Sequence, residues 1–406
     1  MTAETQQGGD LSDQVEEWLR AELPSAWVRA IDSDDARALA EARETVDVEE
    51  WWRRLGKTGY FVPTWPGEYG GHGADVSAAR AVRAVLARYK VPRPLSHASF
   101  HAASAILKWG TDAQKARFLR PISEQTELWC QLLSEPGAGS DLASLATRAV
   151  PDGDTWTVTG EKVWTSFAHL ARWGLVACRT DPDAAKRDGI TMFILDMHGE
   201  GVTVRPLRQM TGDAEFNQVF MDEAAIPDEH RLGPLGAGWR VIRDVLGGER
   251  GSNSGAGTAV HPVVVGRSLK SLLARYPTVA DPVLRDRLVQ AYIDERVLEF
   301  TNRRMAEIRG RGPETGSFAA VTKIFRDEHT KRLHDLAVDL AGPAGLAWMP
   351  DDEWNDKTSW AFLRTRAASI GGGTVEMMRN IVGERILGLP KEPDLYAGRS
   401  WRDTPR

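Results

Sequence analysis

The chain has 406 residues, 42% of them hydrophobic and 27% charged, the balance of an ordinary folded protein. That length calls for two or three packed units, because a single core stops growing near ~250–300 residues. A formal net charge of −6, with no run of Lys or Arg, leaves no electrostatic footprint for a polyanion and excludes nucleic acid as a partner.

The first residues, MTAETQQGGDLSDQVEEWLRAEL, are polar and acidic, whereas a secretory signal has a basic start and an apolar middle. No stretch approaches the ~20 apolar residues of a membrane span. Two cysteines, Cys130 and Cys178, have no CxxC pairing and no His at ligand spacing, which suggests neither a disulfide framework nor a zinc site. The expectation is a cytoplasmic protein with no membrane span.

From Leu11 to Ile122, apolar residues recur at helical spacing, as in VEEWWRRLGKTGYF and VSAARAVRAVLARY, with breaks at WPGEYGGHGAD and KVPRPLS. Between Trp129 and Leu232 the pattern changes to short alternating or apolar runs, TWTVTGEKVWTS, GLVACRT, GITMFILDM and VTVRPL, bounded by Gly, Asp and Pro. From Gly238 onward long helical patterns return, in WRVIRDVLGGERGSNSGAGTAV, PVLRDRLVQAYIDERVLEFTNRRMAEIR, AAVTKIFRDEHTKRLHDLAVDLAG and TVEMMRNIVGERILGL. The order predicts an α+β fold with a β unit between two helical ones, divided as 1–125, 126–235 and 236–406, the last helices being long enough to form a bundle.

General motifs carry little here. GAGSDL at Gly137 to Leu142 begins like a dinucleotide fingerprint, yet Leu142 takes the place of the third glycine and no βαβ unit surrounds it. His329 and His334 lie five apart on a predicted helix and share a face poorly, so a surface or packing role is expected of them, and no metal site.

Several longer stretches, in order, carry a resemblance. In LLSEPGAGSDLASLATRA, GEKVWTSFA, VFMDEAAIPDEHRLGPLGAGW, DLAGPAGL and GGGTVEMMRNIVGERILGLP, supported by EYGGHGAD and WGTDAQKARFLRPI, the chain resembles the acyl-CoA dehydrogenases over almost its whole length. The resemblance implies the family fold, an N-terminal helical domain, a central β domain and a C-terminal four-helix bundle, with FAD as cofactor and oxidation of an acyl-CoA thioester to its trans-2-enoyl-CoA. A Glu base removes the α proton while flavin N5 takes the β hydride, and electrons pass to an electron-transferring flavoprotein. It also implies a role in lipid metabolism and β-oxidation.

An isoalloxazine ring needs a flat apolar partner on one face and hydrogen-bond donors along its edge. The resemblance places Trp164 against the flavin and Ser166 opposite N5, with Ser134 on the flavin ring and Ser140 where the substrate or its CoA portion passes. Gly137 and Gly139 permit either close backbone approach to a ligand or merely the turn, and the two serines are also ordinary turn residues. Gly342, Gly345 and Thr374 match elements that hold the FAD pyrophosphate and adenosine, partly from a neighbouring subunit, though a glycine there also serves as a helix cap.

Removing a proton next to a thioester calls for a carboxylate in a water-poor pocket, where desolvation raises its basicity. The family places that Glu at one of two positions. One falls at Gly372 and is vacant; the other is Glu249, before Arg250, in VLGGERGS, making Glu249 the candidate base and Arg250 its structural neighbour near the substrate. Glu376 is the weaker candidate, matched to the adenine side of FAD. Gly247 and Gly248 cost roughly 0.5–1 kcal/mol each inside a helix, so they either leave room for a branched or ring-bearing acyl group or mark a local kink with no bearing on specificity.

One family element is missing. HPVVVGRSLKSLLARYPTVADPVLRD lacks the Arg-x-x-Phe-Gly motif that reaches the FAD of another subunit; Arg267 or Arg275 are the substitutes on offer. Expected partners are therefore an acyl-CoA, an electron-transferring flavoprotein, and either further copies (dimer or tetramer) or a related non-identical chain. Alternatives are a catalytically incomplete partner subunit, which would be colourless, and a flavin oxidase or oxygenase on the same scaffold.

Overall fold

The computed structural model describes residues 3–91, 97–252, 268–308, 318–347 and 353–404, with backbone alone at 3–10, 36, 97, 247–252, 306, 308 and 353–357. Helices α1 (Ala3–Glu22), α2 (Ser25–Asp32), α3 (Ala36–Glu44), α4 (Val48–Lys57), α5 (Val76–Arg88), α6 (His97–Trp109) and α7 (Asp112–Ser123) come first. Their ends follow from local chemistry. Asp35, Asp47 and Asp75 each cap a helix by accepting backbone N–H groups, and Thr111 with Gln114 forms a reciprocal capping box. The helical pattern read through VEEWWRRLGKTGYF stops at Lys57, because Gly59 turns the chain at φ +76°.

The middle of the chain forms strands β1 (Trp129–Leu132), β2 (Arg148–Asp152), β3 (Thr155–Ser166), β4 (Trp173–Arg179), β5 (Ile190–Asp196), β6 (Val202–Leu207), β7 (Phe216–Pro227) and β8 (Arg231–Leu232). They lie in the order β6-β7-β3-β2-β4-β5-β8, with β1 parallel to β4. Strand β4 is buried at every residue and β5 at all but its last, because both faces are covered. Leu175, Ala177, Met192 and Ile194 pack with Ala102, Ile106, Phe118 and Val241 of the flanking helices. The alternate residues Val176, Cys178, Phe193 and Leu195 pack with Trp156, Val158, Val219 and Ile226 of β3 and β7. Cys130 and Cys178 are free thiols inside this second cluster, and burial pushes the Cys178 thiol up to about 12.

The C-terminal helices are α8 (Gly238–Ser252), α9 (Leu269–Arg275), α10 (Pro282–Ile308), α11 (Phe318–Ala341), α12 (Glu353–Thr365) and α13 (Val375–Arg385). Helix α11 packs against α10, α12 and α13, and carries His329 and His334 in its buried set, so packing, not the surface, is where both histidines belong. Helix α8 packs on α6 and β5, with Val241, Ile242 and Val245 in the helix-to-sheet core. The architecture is thus helical, β-sheet, then helical, as the periodicities predict. No described helix is long and apolar enough to cross a membrane.

Candidate functional site

The end of β3 departs from a regular strand. Lys162 pairs with Val219 and Thr165 with Asn217, so β3 has one more residue than β7 between these pairs. This bulge puts Trp164 at φ +61°, a left-handed backbone costing a non-glycine residue about 1–3 kcal/mol, and leaves its side chain 62% exposed. The buried Asn217 side chain donates to the carbonyls of Thr165 (3.1 Å) and Glu215 (3.0 Å), holding the distortion in place. The indole meets Phe216 edge-on, ring centres 6.0 Å apart, and is otherwise largely exposed. Ser166 pairs with Phe216 and is half-buried at the same rim.

Ser134 lies beside this strand: its carbonyl accepts from Val163 N–H at 2.9 Å. The turn that follows closes through paired backbone hydrogen bonds between Glu135 and Ala138, leaving Gly137, Gly139 and Ser140 exposed. A Cβ at Gly137 or Gly139 would meet nothing within 4 Å, so open space faces both.

Turn and strand are joined by a buried ion pair. Lys162 Nζ, fully buried, lies 2.8 Å from Glu135 Oε1 and donates to the Leu133 carbonyl at 3.0 Å. Glu135 also accepts backbone N–H from Ala146 (2.7 Å) and Thr147 (2.9 Å). Burial by itself raises the Glu135 carboxyl, but the Lys162 ammonium and these donors outweigh it and hold the group below the usual carboxylate range. Sequence reading passes over both residues, although they stand inside two of the stretches it singles out; nothing in their spacing of 27 says that they meet.

Helix α12, also unread from sequence, closes the rim from the C-terminal side. Arg364 pairs with Glu215 at 3.1 Å and its guanidinium lies 5.3 Å from the Phe216 ring, while Trp360 Nε1 donates to Asp213 Oδ2. A recess of about 320 Å³ opens here, lined by Arg208, Gln209, Met210, Thr211, Gly212 and Leu363.

The remaining candidates fall into two groups. Thr374 caps α13, accepting from Met377 N–H at 3.2 Å, after Gly372 and Gly373 at φ +68° and +97°; Glu376 is exposed in the first turn. Gly342 ends α11 at φ +61° with open space where a Cβ would be, whereas Gly345 sits against Val338 and its carbonyl accepts from Ser359 at 2.7 Å. Helix α8 includes positions 247 to 250, but the side chains of Glu249 and Arg250, and the surroundings of Gly247 and Gly248, lie outside what is described. Arg267 lies outside them altogether, and Arg275, at the end of α9, has its guanidinium 5.6 Å from the Tyr276 ring centre. Among the described residues no cluster of His, Cys, Asp or Glu is arranged to hold a metal.

Comparison with known proteins matches these three parts in turn. Family profiles for the acyl-CoA dehydrogenase N-terminal, middle and C-terminal domains cover residues 7–126, 130–223 and 236–387. Acyl-CoA dehydrogenase IpdE1 of Mycobacterium tuberculosis is 39% identical over 346 residues, covering 84% of this chain and 88% of that protein. Acyl-CoA dehydrogenase FadE34 of the same organism is also 39% identical, over 83% of this chain, and here the chain spans only 46% of the relative. Among solved structures, the Tcur3481-Tcur3483 steroid ACAD superposes with a TM-score of 0.71 at 24% identity, covering 95% of this chain and 98% of that one. The three profiles and the relatives place the chain in a class of flavoprotein oxidoreductases of lipid metabolism. The chain belongs to the acyl-CoA dehydrogenase family.

Proposed function

We propose that this protein removes two hydrogens from the α and β carbons of an acyl-CoA, giving the trans-2-enoyl-CoA. One observation carries the reading: the sheet accepts backbone strain at Trp164 and turns that indole outward, beside the Ser134 turn, where a planar ring system would find an apolar wall. Such a rim fits FAD. Trp164, Ser166 and Ser134 would hold the flavin, and Thr374 at the start of α13 with Glu376, Gly342 and Gly345 would hold the pyrophosphate and adenosine. When bound, FAD supplies a hydride acceptor at flavin N5.

Glu249 is the base and takes the α proton on its carboxylate. Its position supports the role, since it stands one helical turn past Val245, which α8 buries in the core between helices and sheet. Ser140, on the exposed side of the Glu135 turn, contacts the CoA portion, and Arg250 borders the substrate. The domain limits of 1–125, 126–235 and 236–406 are supported by the breaks between α7 and β1 and between β8 and α8. Electrons leave to an electron-transferring flavoprotein.

The working form is an oligomer. Helix α10 exposes Val289, Tyr292, Ile293, Val297 and Phe300 along one side, a stripe that a second chain would cover. With no Arg-x-x-Phe-Gly motif, that second chain is either another copy or a related one that completes the FAD site, as two distinct chains make up the Tcur3481-Tcur3483 steroid ACAD.

The test is Glu249→Gln. The purified protein is expected to keep its yellow flavin spectrum while turnover with an artificial electron acceptor falls by about 10³ or more. Near-normal turnover at full flavin content removes Glu249 from the role. A colourless wild-type protein favours the incomplete subunit, and oxygen consumption without an acceptor favours an oxidase.

A further inference from the structure

The chain continues past α13 and returns to the β domain. Ser400 bridges to Ala185, the N–H groups of Trp401 and Arg402 donate to the carbonyls of Ala184 (2.9 Å) and Pro182 (3.0 Å), and Arg402 pairs with Asp183 at 3.3 Å. Trp401 is 7% exposed, in a tail whose preceding residues are open to solvent.

Its indole enters a specific place. The Arg179 guanidinium lies 4.7 Å from the Trp401 ring centre and donates to the carbonyls of Ala143 (2.7 Å), Leu145 (3.3 Å) and Lys186 (2.8 Å). Trp401 Nε1 donates to the carbonyl of Ser144 at 3.3 Å. Three consecutive carbonyls, 143 to 145, are therefore gripped by one guanidinium and the indole stacked on it. This short turn begins at Asp141, whose carboxylate accepts from Ser144 Oγ at 2.6 Å and from Lys186 Nζ. Ser140 comes immediately before it.

We propose that Trp401 is a positioning residue for substrate: the C-terminal tail sets the turn at 141–145 from beneath and so fixes where Ser140 meets the CoA portion. This rests on the reading of Ser140 given above. An aromatic anchor buried in an otherwise exposed tail and bonded to one turn can hold that turn's geometry. Loss of such support displaces a binding group slightly, and small displacements weaken binding markedly.

The experiment is titration of the purified holoprotein with coenzyme A itself by calorimetry, for wild type, Trp401→Ala and Trp401→Phe. The first variant is expected to raise the Kd about tenfold, and the second, which keeps the stack on Arg179 but loses the Nε1 hydrogen bond, about threefold. In turnover with an acyl-CoA, KM rises in parallel and kcat stays within about twofold, the flavin spectrum is unchanged, and amide exchange quickens over 138–147. Either variant binding coenzyme A as wild type does, or losing flavin in proportion to coenzyme A, overturns the inference. Wild-type holoprotein that binds no coenzyme A overturns the Ser140 reading and this one together.

Discussion

Replacing Lys162 by Met keeps most of the apolar stem and removes the charge that faces Glu135. At 2.8 Å the gross attraction is about 6 kcal/mol for an effective dielectric of ~20. Part of that offsets the cost of burying both ions, and breaking a buried pair from one side typically destabilises by about 3–5 kcal/mol, because the other charge is left behind. Total stability is typically ~5–15 kcal/mol, so Lys162→Met should be readily seen by urea unfolding followed through Trp fluorescence. Its pH dependence gives a sharper check. In the wild type the Glu135 pKa is depressed, so its contribution is present above the unfolded carboxylate pKa and lost as pH falls. In the variant desolvation raises that pKa, so stability is retained at low pH and lost as pH rises through the raised value. The double variant Lys162→Met, Glu135→Leu should recover most of the loss. A single variant that costs less than about 1 kcal/mol, or that is no better at pH 5 than at pH 8, refutes the reasoning.

The other predictions concern backbone strain and a buried histidine. Trp164→Gly removes a left-handed non-glycine residue, so thermal stability should hold or rise by about 1 kcal/mol while flavin content falls sharply; a parallel drop in both would mean that the indole chiefly packs the rim. Gly372→Glu restores a carboxylate at the vacant base position, but at φ +68° an L side chain is strained, so it should not rescue Glu249→Gln; recovered turnover would show that the turn refolds cheaply. Burial and the nearby Arg366 push His334 down to about 4, so from pH 6.5 to 4 the unfolded chain binds the extra proton and stability is lost as pH falls. The difference of ~2.5 pKa units corresponds to about 3 kcal/mol, and His334→Leu should flatten that slope in melting curves taken across the window.

How far the sequence reaches is clearest residue by residue. The bounds of the β region, Trp129 and Leu232, are the first residue of β1 and the last of β8, because alternation and turn residues are local signals. Ser134 and Trp164 were each singled out for the flavin through the stretches around them; the structure bonds the Ser134 carbonyl to Val163, the residue before Trp164. The caps at Asp35, Asp47, Asp75 and Thr374 likewise need nothing beyond their own first turns.

What the local pattern does not hold is anything set by contact between distant segments. The bulge that turns Trp164 outward depends on Asn217, whose amide reaches back across 52 positions to Thr165; the pair joining Glu135 to Lys162 forms only when the turn and β3 meet; and Trp401 finds Ser144 across 257 positions. Local periodicity therefore determined most of which segments are helix and which are strand, α12 excepted. Which buried charges face each other, and which indole is left exposed, were decided when the layers packed, since those energies depend on burial and distance, and neither exists in an unfolded chain.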